Sequence, residues 1–270
     1  MSLAGAHADR PVVLDEWQGR RVAVKHYRRG SAEQVARTMT ALWQSAFGRD
    51  RSPPGLPQPL ALEGSRLAME LVPGRPAGGR GSLGATERIA GAAAALLADL
   101  HGSGIVVERV RSGTRIARSL ERKLDDLPEA ELRRSYAAAL DALDPRALDG
   151  ELVVSHGDFS PRNVLLAPEG PRLIDFDRCQ MAPRARDLAY WGAWAWATLA
   201  LAGSEPRWRV GDRFEAAYLE RTASPAPAEE RRAAHRAAAL LRIAHGWSAL
   251  RRRPGIAARV VEEARRQLAG

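Results

Sequence analysis

Two short stretches, SHGDFSPRNVLL at residues 155–166 and RLIDFDR at residues 172–178, decide the expected fold. The first stretch places Asp158 and Asn163 five residues apart in one loop, with apolar residues on both sides. The second stretch ends a short apolar run on Asp175. Carboxylate and amide oxygens are ligands that hard cations such as Mg²⁺ prefer. The spacing therefore predicts three side-chain oxygens gathered around one centre, on a loop and at the end of a neighbouring strand.

The composition is that of a globular protein with a sizeable core. Of the 270 residues, 45% are hydrophobic and 27% are charged, and this length suits either one large domain or two lobes. Cys179 is the only cysteine, so no internal disulfide forms and a reducing compartment is expected. The first residues, MSLAGAHADRP, have no basic region followed by an apolar run, and no uncharged stretch is long enough to span a bilayer. We therefore expect a cytoplasmic protein.

The positive charge is concentrated near the C-terminus. The formal net charge is +9, and residues 231–270 contain ten arginines against Glu262 and Glu263. Basic patches attract anionic membranes, phosphorylated substrates or nucleic acid. We interpret the arginines as a solvated helical face or as a peripheral contact with an anionic membrane surface, and nucleic acid is not expected as a partner. Lys25 and Lys123 are the only lysines among 41 basic residues, which indicates that these two positions need an ammonium group.

The N-terminal part, residues 1–72, is predicted to be a small β-rich unit. The segments PVVLDEW and RVAVKHY flank a turn that contains a glycine, and their alternating β-branched residues predict a hairpin. Ser31 is expected to cap a helix at residues 32–47. The segment LALEGSRLAMELVPG predicts a second hairpin that ends at a Pro-Gly break. This unit would form the smaller part of a two-lobed molecule.

The chain becomes helical beyond residue 81. Residues 73–80 are predicted to connect the N-terminal unit to a larger helical lobe at residues 81–270. Its predicted elements are a buried helix at 86–101, helices with one wet face at 112–148, short strands at 152–155 and 164–166, and helices from 187 to the end. The sequence thus predicts an α+β fold with a small β-rich lobe and a large helical lobe.

The polar residues of the two deciding stretches fit a known kinase pattern. Phosphoryl transfer from ATP needs a carboxylate that orients the attacking hydroxyl and accepts its proton, and oxygen ligands that hold Mg²⁺ on the phosphates. The pattern is matched by His156, Asp158, Asn163 and Asp175. The loop resembles the H-G-D-x-x-x-x-N loop of the aminoglycoside phosphotransferase and choline kinase family, in the protein-kinase-like superfamily. The resemblance implies a two-lobed protein-kinase-like fold, with Asp158 as catalytic base and with Asn163 and Asp175 as Mg²⁺ ligands. It also implies that His156 and Asp187 support the loop.

The same resemblance implies contacts to ATP in the N-terminal unit. Lys25, in VAVK, matches the strand lysine that contacts the α- and β-phosphates. Met69 would begin the connection between the lobes, where backbone groups of Glu70 and Val72 are expected to bind the adenine edge. The helix glutamate that pairs with the lysine in kinases is matched only by Glu33, eight residues after Lys25. No G-x-G-x-x-G phosphate loop precedes the lysine strand, which is a departure from the kinase pattern.

The motifs also narrow the acceptor. Gly157 stands where protein kinases usually have an arginine that reads a phosphorylated activation loop, and only eleven residues separate Asp175 from Asp187. Because this leaves little room to dock a peptide, we expect a hydroxyl of a small molecule (an antibiotic, amino alcohol or sugar) or of a glycolipid. KHYRRGS and LIDFDRCQ are similar to lipopolysaccharide-core sugar kinases, which act on anionic glycolipid. The positive net charge disfavours a polycationic aminoglycoside.

Two interpretations of the whole chain follow. The first is an ATP- and Mg²⁺-dependent phosphotransferase that acts on a small-molecule or glycolipid hydroxyl. The second is a pseudokinase-type module without catalysis, which senses a nucleotide or binds an anionic partner such as RNA or a membrane through its Arg-rich C-terminal region. The absent Gly-rich loop favours the second interpretation. The presence of Asp158, Asn163 and Asp175 together favours the first.

Overall fold

The smaller lobe of the computed structural model, which describes residues 12–27, 31–78 and 87–270, is the predicted β-rich unit. Its elements are β1 (Val12–Trp17), β2 (Arg20–His26), α1 (Ser31–Trp43), β3 (Pro59–Glu63) and β4 (Arg66–Glu70). The four strands form one antiparallel sheet in the order β1-β2-β4-β3, and α1 packs against β3 and β4. Both predicted hairpins are confirmed.

A two-residue turn sets the register of the β1–β2 hairpin. Gln18 and Gly19 both have positive φ, 49° and 73°, which is the turn geometry that matches the twist of paired strands. Val12 pairs with Lys25 as a result. Side chains alternate along a strand, so Lys25 lies on the face of β2 opposite the buried Val24. This alternation places the lysine on the face of the sheet that meets the larger lobe.

The larger lobe combines helices with two small antiparallel sheets. Its elements are β5 (Arg75–Pro76), α2 (Ala90–His101), α3 (Gly113–Leu124), α4 (Ala130–Asp141), β6 (Leu152–Ser155), β7 (Val164–Ala167), β8 (Gly170–Leu173), β9 (Gln180–Pro183), α5 (Ala185–Leu201), α6 (Arg209–Thr222), α7 (Glu229–His245) and α8 (Pro254–Leu268). The sheets β5-β7-β8 and β6-β9 carry the two deciding stretches of sequence. None of the helices in the described ranges is both long and apolar enough to cross a bilayer.

The buried core has two main parts. One part runs from Val35 and Met39 of α1 to the strands of the larger lobe and to Trp191, so α1 joins the lobes through apolar contacts. The other part joins α3, α4, α5, α7 and α8 and includes Tyr136 and Leu240. Full burial of one such side chain stabilises the fold by roughly 1.5–3 kcal/mol. The loop between β6 and β7 therefore rests on a packed helical lobe.

Three features of the secondary structure differ from the sequence-based expectation. Helix α1 ends at Trp43 and not at residue 47, because the chain enters a series of turns in which the Gly48 N–H donates to the Ser45 carbonyl. Strand β9 was not predicted, since four residues that end in a proline carry too little periodicity to mark a strand. Strand β5, within the predicted connection, pairs with β7 of the larger lobe. The predicted helix start at residue 86 and the end of the connection at 79–80 lie outside the described residues.

Several arginines of the C-terminal helices are neutralised within the molecule. Arg232 and Arg236 both pair with Glu215 of α6, at 3.2 and 3.3 Å. Arg265 pairs with Glu262, at 3.3 Å. The local excess of positive charge that is open to a partner is therefore smaller than the sequence count suggests.

Candidate active site

The loop of residues 156–163, between β6 and β7, has a backbone geometry that requires its glycine. Gly157 has a φ of 76°, a conformation that favours glycine. A Cβ atom added there would clash with the carbonyl oxygen of Arg178, so any larger residue would push the loop away from the neighbouring turn. After Asp158 the chain makes one 3₁₀ turn, Pro161–Asn163. These local constraints set the spacing from Asp158 to Asn163.

Asp187, in the first turn of α5, anchors this loop. Its buried carboxylate accepts hydrogen bonds from the backbone N–H groups of His156 (2.8 Å) and Gly157 (3.0 Å). Nε2 of His101 lies 3.3 Å from the same carboxylate. Burial alone would raise the pKa of Asp187, but the hydrogen bond from His101 and nearby positive charges lower it to about 2. The carboxylate therefore stays ionised and holds two backbone groups of the loop in place.

His156 ties the loop to the residues that precede Asp175. Its Nε2 donates to the carbonyl oxygen of Ile174, at 3.0 Å, and its ring packs edge-on against Phe176 with 5.0 Å between ring centres. Asp187 thus contacts the backbone of the loop, and His156 joins the loop to the residue before Asp175. Sequence reasoning missed His101, because its contact joins positions 86 residues apart and no motif surrounds it.

Arg242 of α7, which the sequence analysis also missed, bonds to the carboxylate of Asp158. It donates through one nitrogen to Asp158 Oδ1 and through another to the carbonyl oxygen of Gly157, both at 2.6 Å. Its guanidinium lies 4.3 Å from the ring centre of Tyr190. Burial alone would raise the pKa of Asp158, but the charges of Arg242 and Arg178 outweigh it and hold the pKa well below its usual range. Asp158 is therefore ionised at neutral pH.

Lys25 lies close to two carboxylates of the larger lobe. Its Nζ is 2.6 Å from Asp175 Oδ1 and 2.8 Å from Asp177 Oδ1, and only 10% of its side chain is exposed. The hydroxyl of Tyr27 donates to Asp177 at 2.9 Å. Asp175 itself has a left-handed backbone conformation, with φ of 68°, which Asp adopts more readily than most residues. The structure thus brings Lys25 and Asp175 together from opposite lobes.

The predicted ion pair between Lys25 and Glu33 is not formed. Glu33 lies exposed in the first turn of α1, and no ion pair joins it to Lys25 in the described part of the chain. The reason is the position of the helix, which begins at Ser31 and turns Val35 and Met39 toward the core. The carboxylates of Asp175 and Asp177 contact the lysine in place of Glu33.

Asn163 and Asp175 present oxygens that suit a metal ion. Asn163 Nδ2 donates to the carbonyl oxygen of Asp158 at 2.9 Å, which fixes the amide, and its Oδ1 accepts no hydrogen bond from the described residues. Across those residues, no three His, Cys, Asp or Glu side chains are grouped to bind a metal by themselves. Mg²⁺ is usually bound by one or two protein oxygens together with substrate phosphates and water. The pair Asn163 and Asp175 fits that mode of binding.

The end of β4 holds the residues expected to contact adenine. The Glu70 N–H donates to the Gln58 carbonyl at 2.8 Å, and the Glu70 carboxylate forms two bonds to Arg172, at 2.6 and 2.7 Å. Met69 precedes Glu70 and is half-buried. Val72 is buried, and its N–H has no hydrogen-bond acceptor among the residues that the structure describes. No described residue occupies the Val72 amide, whereas the side chain of Glu70 joins the two lobes.

One protein family matches most of the chain. The sequence profile of the family described as APH, phosphotransferase enzyme family, matches residues 2–235. No curated protein sequence shows significant similarity to the chain.

Three solved structures resemble this protein over most of its length. A choline kinase from Cryptosporidium parvum Iowa II has a TM-score of 0.70 and 13% identity, and the match covers 97% of this chain and 87% of that one. A protein assigned as a fructosamine-3-kinase, from Thermobifida fusca YX-ER1, has a TM-score of 0.65 and 25% identity over 98% and 92%. An aminoglycoside-3'-phosphotransferase of type VIII has a TM-score of 0.57 and 26% identity over 87% and 94%. The predicted two-lobed, protein-kinase-like α+β fold is confirmed.

Proposed function

The chain belongs to the phosphotransferase enzyme family, and from this premise we propose that it uses ATP and Mg²⁺ to phosphorylate a hydroxyl group of a small molecule. Family membership makes it a transferase of the kinase type. One observation carries the finer proposal. Lys25 of the smaller lobe contacts Asp175, while Asp158 and Asn163 are bonded to each other on the adjoining loop. This is the set of groups that phosphoryl transfer from ATP requires.

In the proposed reaction Asp158 orients the acceptor hydroxyl and takes its proton. The bond between the γ-phosphorus and the bridging oxygen of ATP breaks, a bond from that phosphorus to the hydroxyl oxygen forms, and ADP leaves. Arg242 lowers the pKa of Asp158, so this carboxylate is a weak base. A weak base is sufficient because the transition state of phosphoryl transfer is loose and its demands are mainly positional and electrostatic. Asp158 therefore acts chiefly by holding the hydroxyl in line with the phosphorus.

The phosphates of ATP are proposed to lie between Lys25 and the loop. The Lys25 ammonium, with its three donors, contacts the α- and β-phosphates. Asn163 and Asp175 would hold Mg²⁺, which neutralises negative charge on the phosphates when it is bound. Asp177 keeps Lys25 in position through its contact at 2.8 Å.

Adenine is proposed to bind at the connection between the lobes. The N–H of Val72 would donate to the ring, and the carbonyl oxygen of Glu70 would accept from the exocyclic amine. Met69 would pack against the ring. The ion pair from Glu70 to Arg172 supports this arrangement, because it fixes the end of β4 relative to β8.

A small-molecule acceptor fits the short path from Asp175 to Asp187. This path consists of the turn Phe176–Arg178 and strand β9, which pairs with β6 and leaves no loop that could dock a peptide. A glycolipid acceptor, contact of the C-terminal helices with an anionic membrane surface, a cytoplasmic location and the lobe boundaries at 1–72, 73–80 and 81–270 stay predictions. The internal ion pairs of Arg232 and Arg236 reduce the charge available for a membrane contact.

The test of the nucleotide assignment is calorimetric titration of ATP with and without Mg²⁺. We expect binding that depends on Mg²⁺ in the native protein and that Asp175→Asn weakens at least tenfold, since removing an ordered ligand or its partner typically has this effect. Asp141→Asn, which changes an exposed carboxylate at the end of α4, serves as the matched control. Absence of ATP and GTP binding under both conditions would overturn the proposal and favour the non-catalytic interpretation.

A further inference from the structure

A cavity of about 100 Å³ lies beside the loop that carries Asp158. Gly157 and Tyr190 form part of its wall, and both contact Arg242, the residue bonded to Asp158. A cavity needs only about 10–15 Å³ to hold one water molecule, so this cavity has room for part of a small molecule. Its position next to the proposed base makes it the candidate binding site for the acceptor.

Cationic side chains dominate the wall of this cavity, which we name the basic pocket. They are Arg109, Arg111, Lys123, Arg178, Arg186 and Arg242. These residues come from separate parts of the larger lobe: the segment before α3, α3 itself, the turn after β8, α5 and α7. A solvated face of one helix would not bring such residues together. The convergence is a property of the fold.

The wall of the basic pocket contains almost no negative charge to balance these cations. Among the residues that the structure describes, Asp187 is the only acidic one in the wall. Its two oxygens already accept bonds from the backbone N–H groups of His156 and Gly157, and His101 contacts it as well. The neighbouring Asp158 is bonded to Arg242. The pocket therefore keeps a clear excess of positive charge.

The cations of the basic pocket differ in how many hydrogen bonds they already form. Arg111 bonds to the side chain of Gln180 at 3.2 Å, and Arg109 to the carbonyl oxygen of Asp177 at 3.3 Å. Lys123 and Arg178, by contrast, have neither a hydrogen-bond acceptor nor an ion-pair partner among the residues that the structure describes. Lys123 is one of only two lysines in the chain, and the other contacts the carboxylates of the proposed phosphate site.

The pKa values of the pocket's basic side chains agree with the shortage of acidic side chains in its wall. Burial lowers the pKa of Lys123 and of Arg111, and neighbouring arginines lower both further, while the carboxylate of Asp126 offsets part of this effect on Lys123. Burial and the charge of Arg242 lower the pKa of Arg186 to about 9. Groups of like charge that depress each other in this way are stabilised when an anion binds between them.

We propose that the acceptor of this enzyme carries an anionic group, a phosphate ester or a carboxylate, which binds in the basic pocket and places a hydroxyl of the same molecule at Asp158. The inference rests on the proposed phosphotransferase function and names its substrate class. Lys123 and Arg178 supply donors to the anion, and Arg111 supplies further positive charge. Arginine and lysine side chains are the usual ligands of such groups in proteins.

The same contacts oppose a cationic acceptor. A quaternary or protonated amine would enter a pocket of six cations whose one acidic residue is fully bonded. Tyr190, the aromatic side chain that could contact such an amine, is already covered by the guanidinium of Arg242. The pocket therefore differs in charge from what a choline or aminoglycoside acceptor would require.

The first experiment measures binding of inorganic phosphate by calorimetry, in EDTA and without nucleotide. We expect Lys123→Gln and Arg111→Gln each to weaken phosphate binding at least tenfold, and Lys123→Arg to retain most of it. Arg118→Gln removes one positive charge from an exposed position of α3 outside the pocket and should leave binding within twofold of the native value. No phosphate binding by the native protein, or equal binding by all variants, would overturn the proposal.

The second experiment compares pairs of acceptors with radiolabelled ATP. Ribose 5-phosphate is paired with ribose, glycerol 3-phosphate and glycerate with glycerol, and choline represents the cations. We expect at least one anionic compound to be used with a kcat/KM at least tenfold above that of its neutral partner, and Lys123→Gln to raise its KM. The phosphate and carboxylate arms identify the anion.

Preference for choline or for the neutral partners would overturn the inference while leaving the phosphotransferase function intact. Phosphate binding without any ATP binding would remove the phosphotransferase function and leave the anion site.

Discussion

The two groups of charged residues around Asp158 have opposite compositions. The proposed nucleotide side, which consists of Lys25, Asp175 and Asp177, has two carboxylates for one cation. The proposed acceptor side is the basic pocket, where, among the described residues, six cations face one fully bonded carboxylate. An excess of carboxylate suits a divalent cation that arrives with ATP, and an excess of cations suits an anionic acceptor. The net charge of +9 therefore predicts the charge of neither ligand, because each site has its own local balance of acidic and basic side chains.

The largest expected effect comes from the residue between the two sides. Asp158→Asn should lower kcat roughly 10²- to 10⁴-fold, the usual loss when a general base is removed. ATP affinity should stay within about twofold, whereas phosphate affinity should rise, because the variant no longer neutralises Arg242 in the wall of the basic pocket. Steady-state kinetics with the acceptor found in the panel and calorimetry test this. Turnover close to the native value would contradict the assignment of Asp158.

The next prediction concerns Asp187, which anchors the loop that separates the two sides. Asp187→Asn removes a buried charge that accepts two backbone hydrogen bonds, so we expect a loss of roughly 2–3 kcal/mol in the free energy of unfolding. ATP affinity and phosphate affinity should fall together, which would show that both sides depend on the loop. Urea denaturation measures the first effect and calorimetry the second. If only one of the two affinities fell, the two sites would not both depend on the loop.

Asp187 also predicts a dependence of stability on pH. Its pKa is lowered in the folded protein from about 3.8 to about 2, so its ionised form stabilises the fold above about pH 4. This contribution is lost as the pH falls from about 4 to about 2. The difference in stability between the native protein and Asp187→Asn should therefore be constant near neutral pH and should narrow below pH 4. Urea titrations at several pH values give the result, and a constant difference down to pH 2 would count against it.

A smaller effect, limited to the nucleotide side, is expected from Lys25→Ala. The variant leaves Asp175 and Asp177 without their ammonium partner and removes the proposed phosphate contact. We expect the KM for ATP to rise at least tenfold, since a charged hydrogen bond contributes about 1.5–3 kcal/mol. Phosphate binding in the basic pocket should not change. If Lys25→Ala weakened phosphate binding in EDTA as strongly as Lys123→Gln does, the two sides would not be independent.

The smallest effect expected is a shift in the pH profile of Arg242→Gln. Arg242 and Arg178 hold the pKa of Asp158 below its usual range, and His156 and Tyr190 also lie near the carboxylate. Without Arg242 that pKa rises, so protonation inactivates Asp158 at a higher pH. The acid limb of kcat/KM should therefore move to higher pH, with the KM for ATP unchanged. An unchanged acid limb would show that Asp158 is not the group that titrates.

Much of the site could be predicted from the sequence because its geometry is local. Gly157 and the 3₁₀ turn that ends at Asn163 fix the distance from Asp158 to Asn163 within a few residues of chain. Family resemblance extended the prediction to Lys25, whose contact with Asp175 spans 150 residues. The same resemblance led to a wrong expectation for Glu33, because the start of α1 relative to β2 places that residue on the exposed face.

The sequence by itself determined the fold class, the loop and its three oxygen-bearing side chains, since these depend on strand alternation, turn chemistry and short spacings. Only the tertiary structure decided the long-range partners: Arg242 reaches Asp158 of that loop across 84 residues, and Arg172 of the larger lobe reaches Glu70 of the smaller lobe across 102. It also decided the basic pocket, whose cations are scattered along the chain. The physical reason is that Coulomb interactions depend on distance in space, so charges from separate elements form a binding site only after the helices have packed.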